Sequence, residues 1–350
     1  MTPARWLIYA LGGGMGHFTR ASGLARNAAR KGHHVTLVTN SPFAPDVPLE
    51  AVLGPEVQVH RLSPELGKAA MRETVDCLLE GVRPDLLVVD TFPRGLVGEL
   101  APLLPSLRMG KVLVHRDLNP TYVARFDIAA AVEDFHLLLV PGEDAPFAGH
   151  PRAVRTEPWL LLGREEWLGR EEARERLGVA PEDTRPLVAV MGSGNALEVE
   201  EAGLIAARLQ ERLGAKAPVR WLAPPGPWLS EKAPRKKNVV RDGAPRPLRV
   251  WPALAVMSGV DVLVGAGGYN TVQEARVTGT PLVALARARR YDRQAVRLRP
   301  EELARTPEEL VERAVELVDS RPRRDPPSYA NGARDAVVLI ERVLLGARGA

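Results

Sequence analysis

Cysteine is nearly absent. Cys77 stands alone among 350 residues, so no disulfide can close within the chain, and a reducing compartment is expected. Long apolar runs are missing too. None approaches the roughly 18 residues that a membrane helix needs. The N-terminal run Trp6–Leu11 stops at Gly12 without a small-residue cleavage site. A cytoplasmic location is therefore expected, with peripheral membrane contact left open. Net charge is small: 47 basic residues against 43 acidic ones leave +4. That excess suits either a solvated surface or a phosphate-bearing partner, and it does not choose between them. No nucleic-acid partner is expected. The histidines do not fall at metal-ligand spacing, and no Asp-x-Asp turn follows a strand in the C-terminal half. No metal site and no cofactor are therefore expected.

What is present is an ordinary globular composition, 45% apolar and 26% charged, in a chain long enough for two cores. Short Val/Leu runs recur, each followed by a helix-like stretch. Trp6–Leu11, His34–Thr39, Val57–Leu62, Asp85–Asp90, Val112–His115 and His136–Val140 read as strands. Continuous rather than alternating apolar runs predict strands covered on both faces, and the strand–helix alternation predicts parallel sheets with right-handed crossovers. A boundary is read over Thr156–Gly178. The pattern then restarts with Leu187–Met191, Val219–Leu222, Arg249–Trp251, Val262–Val264 and Pro281–Leu285. From Pro300 onward the chain reads as helical, and the stretch between Trp221 and Pro247 reads as loop. Three bodies follow: an N-terminal domain over residues 1–156, a C-terminal domain over 167–325, and a last helix over 330–345.

Three glycine turns stand between a strand and a helix: Gly12–Gly16, Gly192–Gly194 and Gly265–Gly268. Glycine there permits close approach to the backbone, and free amides at a helix start suit anions. The first turn does not fit the dinucleotide fingerprint. Its third glycine would fall on His17, and the second strand ends at Asn40-Ser41 with no acid. Thr271 or Asn270 can cap the helix after the third turn, and Glu274, three residues past Thr271, fits either a surface helix acid or half of a capping box. His17 fits a backbone-bonded turn histidine or a base. Asp90 fits a cap for a following helix or a base. Arg116, within His115-Arg116-Asp117, can pair with a carboxylate or a phosphate.

The stretch GGGMGHFT at Gly12–Thr19 resembles the N-terminal motif of the family 28 glycosyltransferases, which add N-acetylglucosamine to the lipid-linked peptidoglycan precursor. GGYNTVQEARVTGTP at Gly267–Pro281 resembles that family's donor-binding motif, and Asp292-Arg293-Gln294 the motif beyond it. The GGYNT form is most similar to a branch of uncharacterised predicted glycosyltransferases.

The resemblance implies the GT-B fold, an α/β architecture with two Rossmann-like domains facing across a cleft and a last helix crossing back to the first domain. It implies a nucleotide-diphosphate sugar donor, UDP-linked, and a hydroxyl acceptor of unknown identity. It also implies inversion at the anomeric carbon without a metal. By position, Glu274 resembles the acceptor of the ribose hydroxyls, and Gly267, Gly268, Tyr269, Asn270 and Thr271 the diphosphate turn. Gln294 resembles the donor-sugar contact, Trp251 lies in the base-contacting segment, and Ser193 and Gly194 in the second-domain phosphate loop. Gly14, Gly16 and His17 lie where the first domain approaches the reacting centre. His17 is the expected catalytic base, with Asp90 the next candidate. The stretch before Asp292 departs from the family in being short and arginine-rich (Arg287, Arg289, Arg290), and a lobe beyond Gln294 is trimmed. A nucleotide-sugar hydrolase, a 2-epimerase and a non-catalytic nucleotide-sugar-binding regulator are the rival readings.

Overall fold

The computed structural model describes residues 2–192, 194–226, 245–322 and 326–345. The chain divides into two compact units. Unit 1 runs to Leu161 and takes in Arg290–Asp292 and the segment from Ala330. Unit 2 comprises Leu162–Arg289 and Arg293–Tyr329.

Unit 1 is built on seven strands: β1 (Arg5–Ala10), β2 (His34–Thr39), β3 (Val57–Arg61), β4 (Leu86–Asp90), β5 (Gly110–Val114), β6 (Leu137–Pro141) and β7 (Ala153–Thr156). They pair in the order β3-β2-β1-β4-β5-β6-β7, every ladder parallel. β4 and β6 are buried along their whole length, as their unbroken Leu/Val runs require of strands covered on both faces. The helices are α1 (Met15–Arg30), α2 (Leu49–Leu53), α3 (Lys68–Val82), α4 (Pro120–Arg125) and α5 (Ile128–Val132). Met71, Val75 and Leu79, at helical spacing on α3, pack on Leu7, Tyr9, Leu87 and Val89 from the sheet. β7 was not expected. Its sequence, Ala-Val-Arg-Thr, is short and half polar, which fits the partly exposed edge strand that it is.

Unit 2 carries β8 (Val188–Met191), β9 (Val219–Ala223), β10 (Pro247–Arg249), β11 (Val262–Ala266), β12 (Leu282–Leu285) and β13 (Leu303–Ala304). Their order is β10-β9-β8-β11-β12-β13, again parallel throughout. Its helices are α6 (Arg170–Arg176), α7 (Ala196–Leu213), α8 (Tyr269–Thr278), α9 (Gln294–Arg297) and α10 (Pro307–Ser320). Ile205 and Leu209 of α7 and Leu310 and Ala314 of α10 close the core over Val190, Val264 and Val283. Two expectations are corrected. β10 ends at Arg249, so Trp251 lies beyond the strand. The chain past Pro300 is not purely helical, because Leu303–Ala304 adds a two-residue edge strand before α10. The segment 227–244, read as loop, lies outside the described residues.

The last helix, α11 (Gly332–Ile340), packs on α1 within unit 1. Just past it the carboxylate of Glu341 meets His33 Nε2 at 3.0 Å, both groups buried. His33 Nδ1 accepts the Ala4 amide at 3.2 Å, which places the imidazole proton on Nε2, toward the carboxylate. No helix among the described residues is long and apolar enough to cross a membrane.

Each sheet changes winding direction once, between β1 and β4 in unit 1 and between β8 and β11 in unit 2. Open α/β sheets place ligands beyond the carboxyl ends of the strands that flank this switch. Those ends carry the glycine turns.

Candidate functional site

In unit 1 the turn after β1 delivers α1, which starts at Met15 and sets His17 in its first turn. β4 ends at Asp90 on the neighbouring strand. His17 Nδ1 lies 2.6 Å from Asp90 Oδ2. One helical turn on from His17, Arg20 lies on the same face of α1. Its Nε donates to Asp90 Oδ1 at 2.9 Å and its terminal nitrogen to Oδ2 at 2.7 Å. The Thr91 hydroxyl gives a third bond to Oδ2 at 3.2 Å and itself accepts from Arg20 at 3.1 Å. Asp90 and Arg20 are almost wholly buried; the His17 side chain keeps 19% exposure.

The electrostatics follow from these contacts. Burial alone would raise the Asp90 carboxyl, but the guanidinium of Arg20 and the bond from His17 hold it far below the usual carboxylate range. An ionised carboxylate only accepts, so the hydrogen between it and His17 sits on Nδ1. Nε2 is left with its lone pair. The His17 imidazole is pushed below its ordinary value by burial, which outweighs the raising effect of Asp90; Arg20 and Arg116 add to the lowering. The positive end of α1 acts the same way.

The polypeptide is bent to allow this. The Phe92 amide bonds the Asp90 carbonyl at 2.8 Å, closing a γ-turn around Thr91, whose φ is +70°. A β-branched residue there is strained. The turn aims the Asp90 carboxylate and the Phe92 ring at His17 together, and the two rings stack at 5.3 Å. Phe92 in turn meets Tyr122 edge-on at 6.1 Å and Tyr291 at 5.2 Å. Tyr291 belongs to the three-residue piece that the later chain contributes to unit 1, and its carbonyl takes the Asn119 amide at 2.9 Å.

Two readings of the sequence are corrected in this region. The amides of Gly12 and Gly13 do not face outward for an anion; Asn40 Oδ1 accepts both, at 2.8 and 3.2 Å. Gly12 is needed instead because the imidazole lies over it, where a Cβ would stand 2.5 Å from Nε2. Asp90 caps no helix, since turns and not a helix follow β4. Gly14 is the N-cap of α1, and Gly16 lies in its first turn. Arg116 takes the carboxylate option, pairing with buried Glu143 at 2.5 Å. Burial brings the neighbouring His115 down to about 4, and its Nε2 accepts the Phe147 amide at 3.1 Å.

In unit 2 the third glycine turn opens α8. Gly268 is its N-cap, and neither Asn270 nor Thr271 caps the helix, both being inside it. Glu274 is therefore not half of a capping box. It lies in the second turn of α8, 5% exposed, and no described residue gives its carboxylate a hydrogen bond or an ion pair. Burial without compensation raises it to about 8. Tyr269 and Thr271 are buried on the same helix. Gln294, at the start of α9, is buried, and its Oε1 accepts the Arg287 amide at 3.0 Å. Gly267 allows α9 to seat there, because a Cβ would come within 3.0 Å of the Gln294 carbonyl. Arg297, also buried, donates to the Gly267 carbonyl at 2.9 Å and fixes the turn. So the structure brings Gly267 and Gln294 together, with Glu274 in the second turn of the helix that Gly268 caps. Trp251 is partly buried past β10. Ser193 lies outside the described residues, and Gly194 immediately precedes the α7 cap Asn195.

Two arginines of the stretch before Asp292 are paired with carboxylates of α7. Arg289 meets Glu198 at 2.6 Å, and Arg287 meets Glu201 at 2.7 Å. Sequence reasoning missed Arg20, Asn40, Thr91, Phe92 and Arg297. Only Arg20 carried a legible signal, its i,i+3 spacing from His17. Among the described residues no group of three His, Cys, Asp or Glu is placed to hold a metal ion.

No protein-family model matches the chain, and no curated protein matches it in sequence. Solved structures do match its fold. The glycotransferase of kitacinnamycin superposes with a TM-score of 0.62 at 18% identity, covering 98% of this chain and all of that one. UGT89C1 of Arabidopsis thaliana, solved with UDP-L-rhamnose, gives 0.58 at 14% identity over 99% and 95%. A protein assigned as a UDP-N-acetylglucosamine 2-epimerase from Listeria monocytogenes gives 0.63 at 11% identity over 98% and 97%. Two Rossmann-like units with parallel sheets of seven and six strands, matched over nearly the whole chain by these structures, make this the GT-B fold.

Proposed function

We propose that the protein is a glycosyltransferase that moves a sugar from a nucleoside-diphosphate donor, UDP-linked, to a hydroxyl acceptor, with inversion and without a metal. The observation that carries the reading is the His17–Asp90 pair at the switch point of unit 1, with the imidazole proton directed to Asp90 and Nε2 left as a base. Nε2 takes the proton of the acceptor hydroxyl as its oxygen attacks the anomeric carbon. The bond from that carbon to the diphosphate breaks, and the nucleoside diphosphate leaves with the electron pair. Attack opposite the leaving group inverts the carbon.

The donor is assigned to unit 2. Glu274 takes the ribose hydroxyls, which supply the hydrogen bonds its buried carboxylate lacks. The turn Gly267–Thr271 holds the diphosphate, Gln294 the donor sugar, and Trp251 and Gly194 border the nucleotide. Gly14 and Gly16 set the start of α1 toward the reacting centre. The GGGMGHFT and GGYNT motifs support a relation to the family 28 branch, and the GT-B fold is compatible with transfer, hydrolysis or epimerisation.

The deciding experiment incubates the protein with a mixture of nucleotide sugars, with and without a panel of hydroxyl acceptors, and reads the products by mass spectrometry and anomeric NMR. A glycosylated acceptor of inverted configuration is expected. Free sugar alone would mean hydrolysis, an isomeric nucleotide sugar would mean epimerisation, and nucleotide-sugar binding without any product would leave a regulator.

A further inference from the structure

The transferase reading needs only a base and a carboxylate behind it. The structure adds a third group whose placement that reading does not explain. Arg20 is wholly buried, yet its guanidinium is turned side-on to Asp90, one nitrogen to each carboxylate oxygen, and reaches on to the Thr91 hydroxyl. It ties together the first and central residues of the strained γ-turn that aims Asp90 and Phe92 at His17. A guanidinium is the side chain suited to this, because its planar fork matches two carboxylate oxygens at once.

We propose that Arg20 is the positioning residue of the site: it locks the Asp90 carboxylate so that Oδ2 receives Nδ1–H of His17 and Nε2 alone is presented as the base. This rests on the transferase reading, and it reaches the chemistry only through Asp90. Two physical consequences follow. Asp90 is filled by donors on both oxygens, so it does not take the proton from Nδ1, and the imidazole does not flip its tautomer. The lock also cancels the charge that would otherwise strengthen the base. A lone buried carboxylate raises a neighbouring histidine; an Asp90–Arg20 pair is neutral overall, so a proton added to His17 makes the buried cluster cationic. The charged groups facing the ring are Asp90 at the end of β4, Arg20 on α1, and Arg116 after β5, the last paired with Glu143. The site is thus built as a base weaker than a free imidazole.

The test is nitrogen NMR of protein labelled with 15N-histidine, with the His17 signals among the seven histidines identified by their loss in His17→Gln. In the wild type at neutral pH, the expected pattern is a protonated Nδ1 and a bare Nε2. Removing the guanidinium in Arg20→Met should move the His17 titration upward by about one unit or more, the scale on which a neighbouring charge acts. It should also mix the two tautomers and move the acidic limb of kcat by the same amount. Arg20→Lys keeps the charge but cannot hold both oxygens, so its titration should lie between those of Arg20→Met and the wild type. If Arg20→Met does not fold, Arg20→Lys decides, a displaced titration being expected. A wild-type proton on Nε2, or a folded Arg20 variant with the wild-type tautomer and titration, would overturn the proposal. The spectra require no donor or acceptor. The expected spectra without turnover would therefore sink the transferase reading and leave the geometry of the lock standing.

Discussion

Asp90 and Glu274 are both buried carboxylates beside the switch point of a parallel sheet, one in each unit, and their surroundings drive them in opposite directions. Asp90 receives hydrogen bonds on both oxygens and faces a guanidinium, so it is ionised far below the usual range. Glu274 receives none from the described residues, and burial raises it to about 8. Equal burial gives opposite charge states because the desolvation penalty acts on both, while only one has partners to repay it. In unit 1 the carboxylate is already supplied with protein donors on both oxygens. In unit 2 it is not, and a ligand carrying hydroxyl donors would supply them.

The contrast can be broken most severely at His17. Replacing it with Ala is expected to lower kcat about 100- to 10,000-fold, the contribution typical of a general base. Nucleotide affinity, assigned to the other unit, should stay within error in calorimetry. Near-native turnover would return His17 to the role of a turn histidine.

Asp90→Asn tests how much the paired carboxylate of unit 1 contributes. The change leaves the Arg20 charge buried without its counterion, and breaking such a pair costs about 3–5 kcal/mol. A large drop in the urea midpoint is expected, together with loss of turnover. A variant as stable as the wild type would show that the pair contributes little.

Glu274→Ala should weaken binding of the free nucleoside diphosphate by about 1.5–3 kcal/mol, the range for a hydrogen bond to a charged group. Unlike Asp90→Asn, it should not destabilise the fold, because no partner is orphaned. Unchanged affinity would remove Glu274 from the donor site.

A subtler effect is one of pH. The Glu274 carboxyl titrates near 4.5 when unfolded and at about 8 when folded. Between those values the unfolded chain has lost the proton and the folded chain keeps it. Its contribution to stability is therefore fully present below about pH 4.5 and fades as pH rises toward 8. Glu274→Gln should flatten this part of the stability–pH curve. Ribose hydroxyls donating to the carboxylate favour its charged form, so nucleotide binding near neutral pH should release a proton. Calorimetry in buffers of different ionisation enthalpy reads that release, and proton uptake or none would contradict the assignment. The smallest expected effect is that of chelation, with turnover in EDTA equal to turnover in added magnesium. Loss with EDTA and rescue by metal would end the metal-free reading.

Much of the fold was legible before any coordinates. Val/Leu runs such as Leu86–Val89 mark strands buried on both faces, and a glycine turn between strand and helix marks where a sheet presents its working end. These are local features, written in consecutive residues, which is why they survive translation into a sequence. The edge strands β7 and β13 were not legible, since a two- to four-residue strand exposed at an edge needs no apolar run.

The site divides in the same way. The sequence by itself determined that His17 and Glu274 stand just past glycine turns, because turn chemistry is a property of neighbours in the chain. Only the tertiary structure decided what those residues are. Parallel pairing of β1 with β4 brings Asp90 to His17 and Arg20 across some seventy residues, and pairing with β2 carries Asn40 onto the glycine amides that a ligand was expected to occupy. The same sequence letters would have allowed a surface acid at Glu274 and a helix cap at Asp90. Burial and the partners supplied by distant strands chose otherwise, since the charge state of a carboxyl is set by what surrounds it in space rather than by its neighbours in sequence.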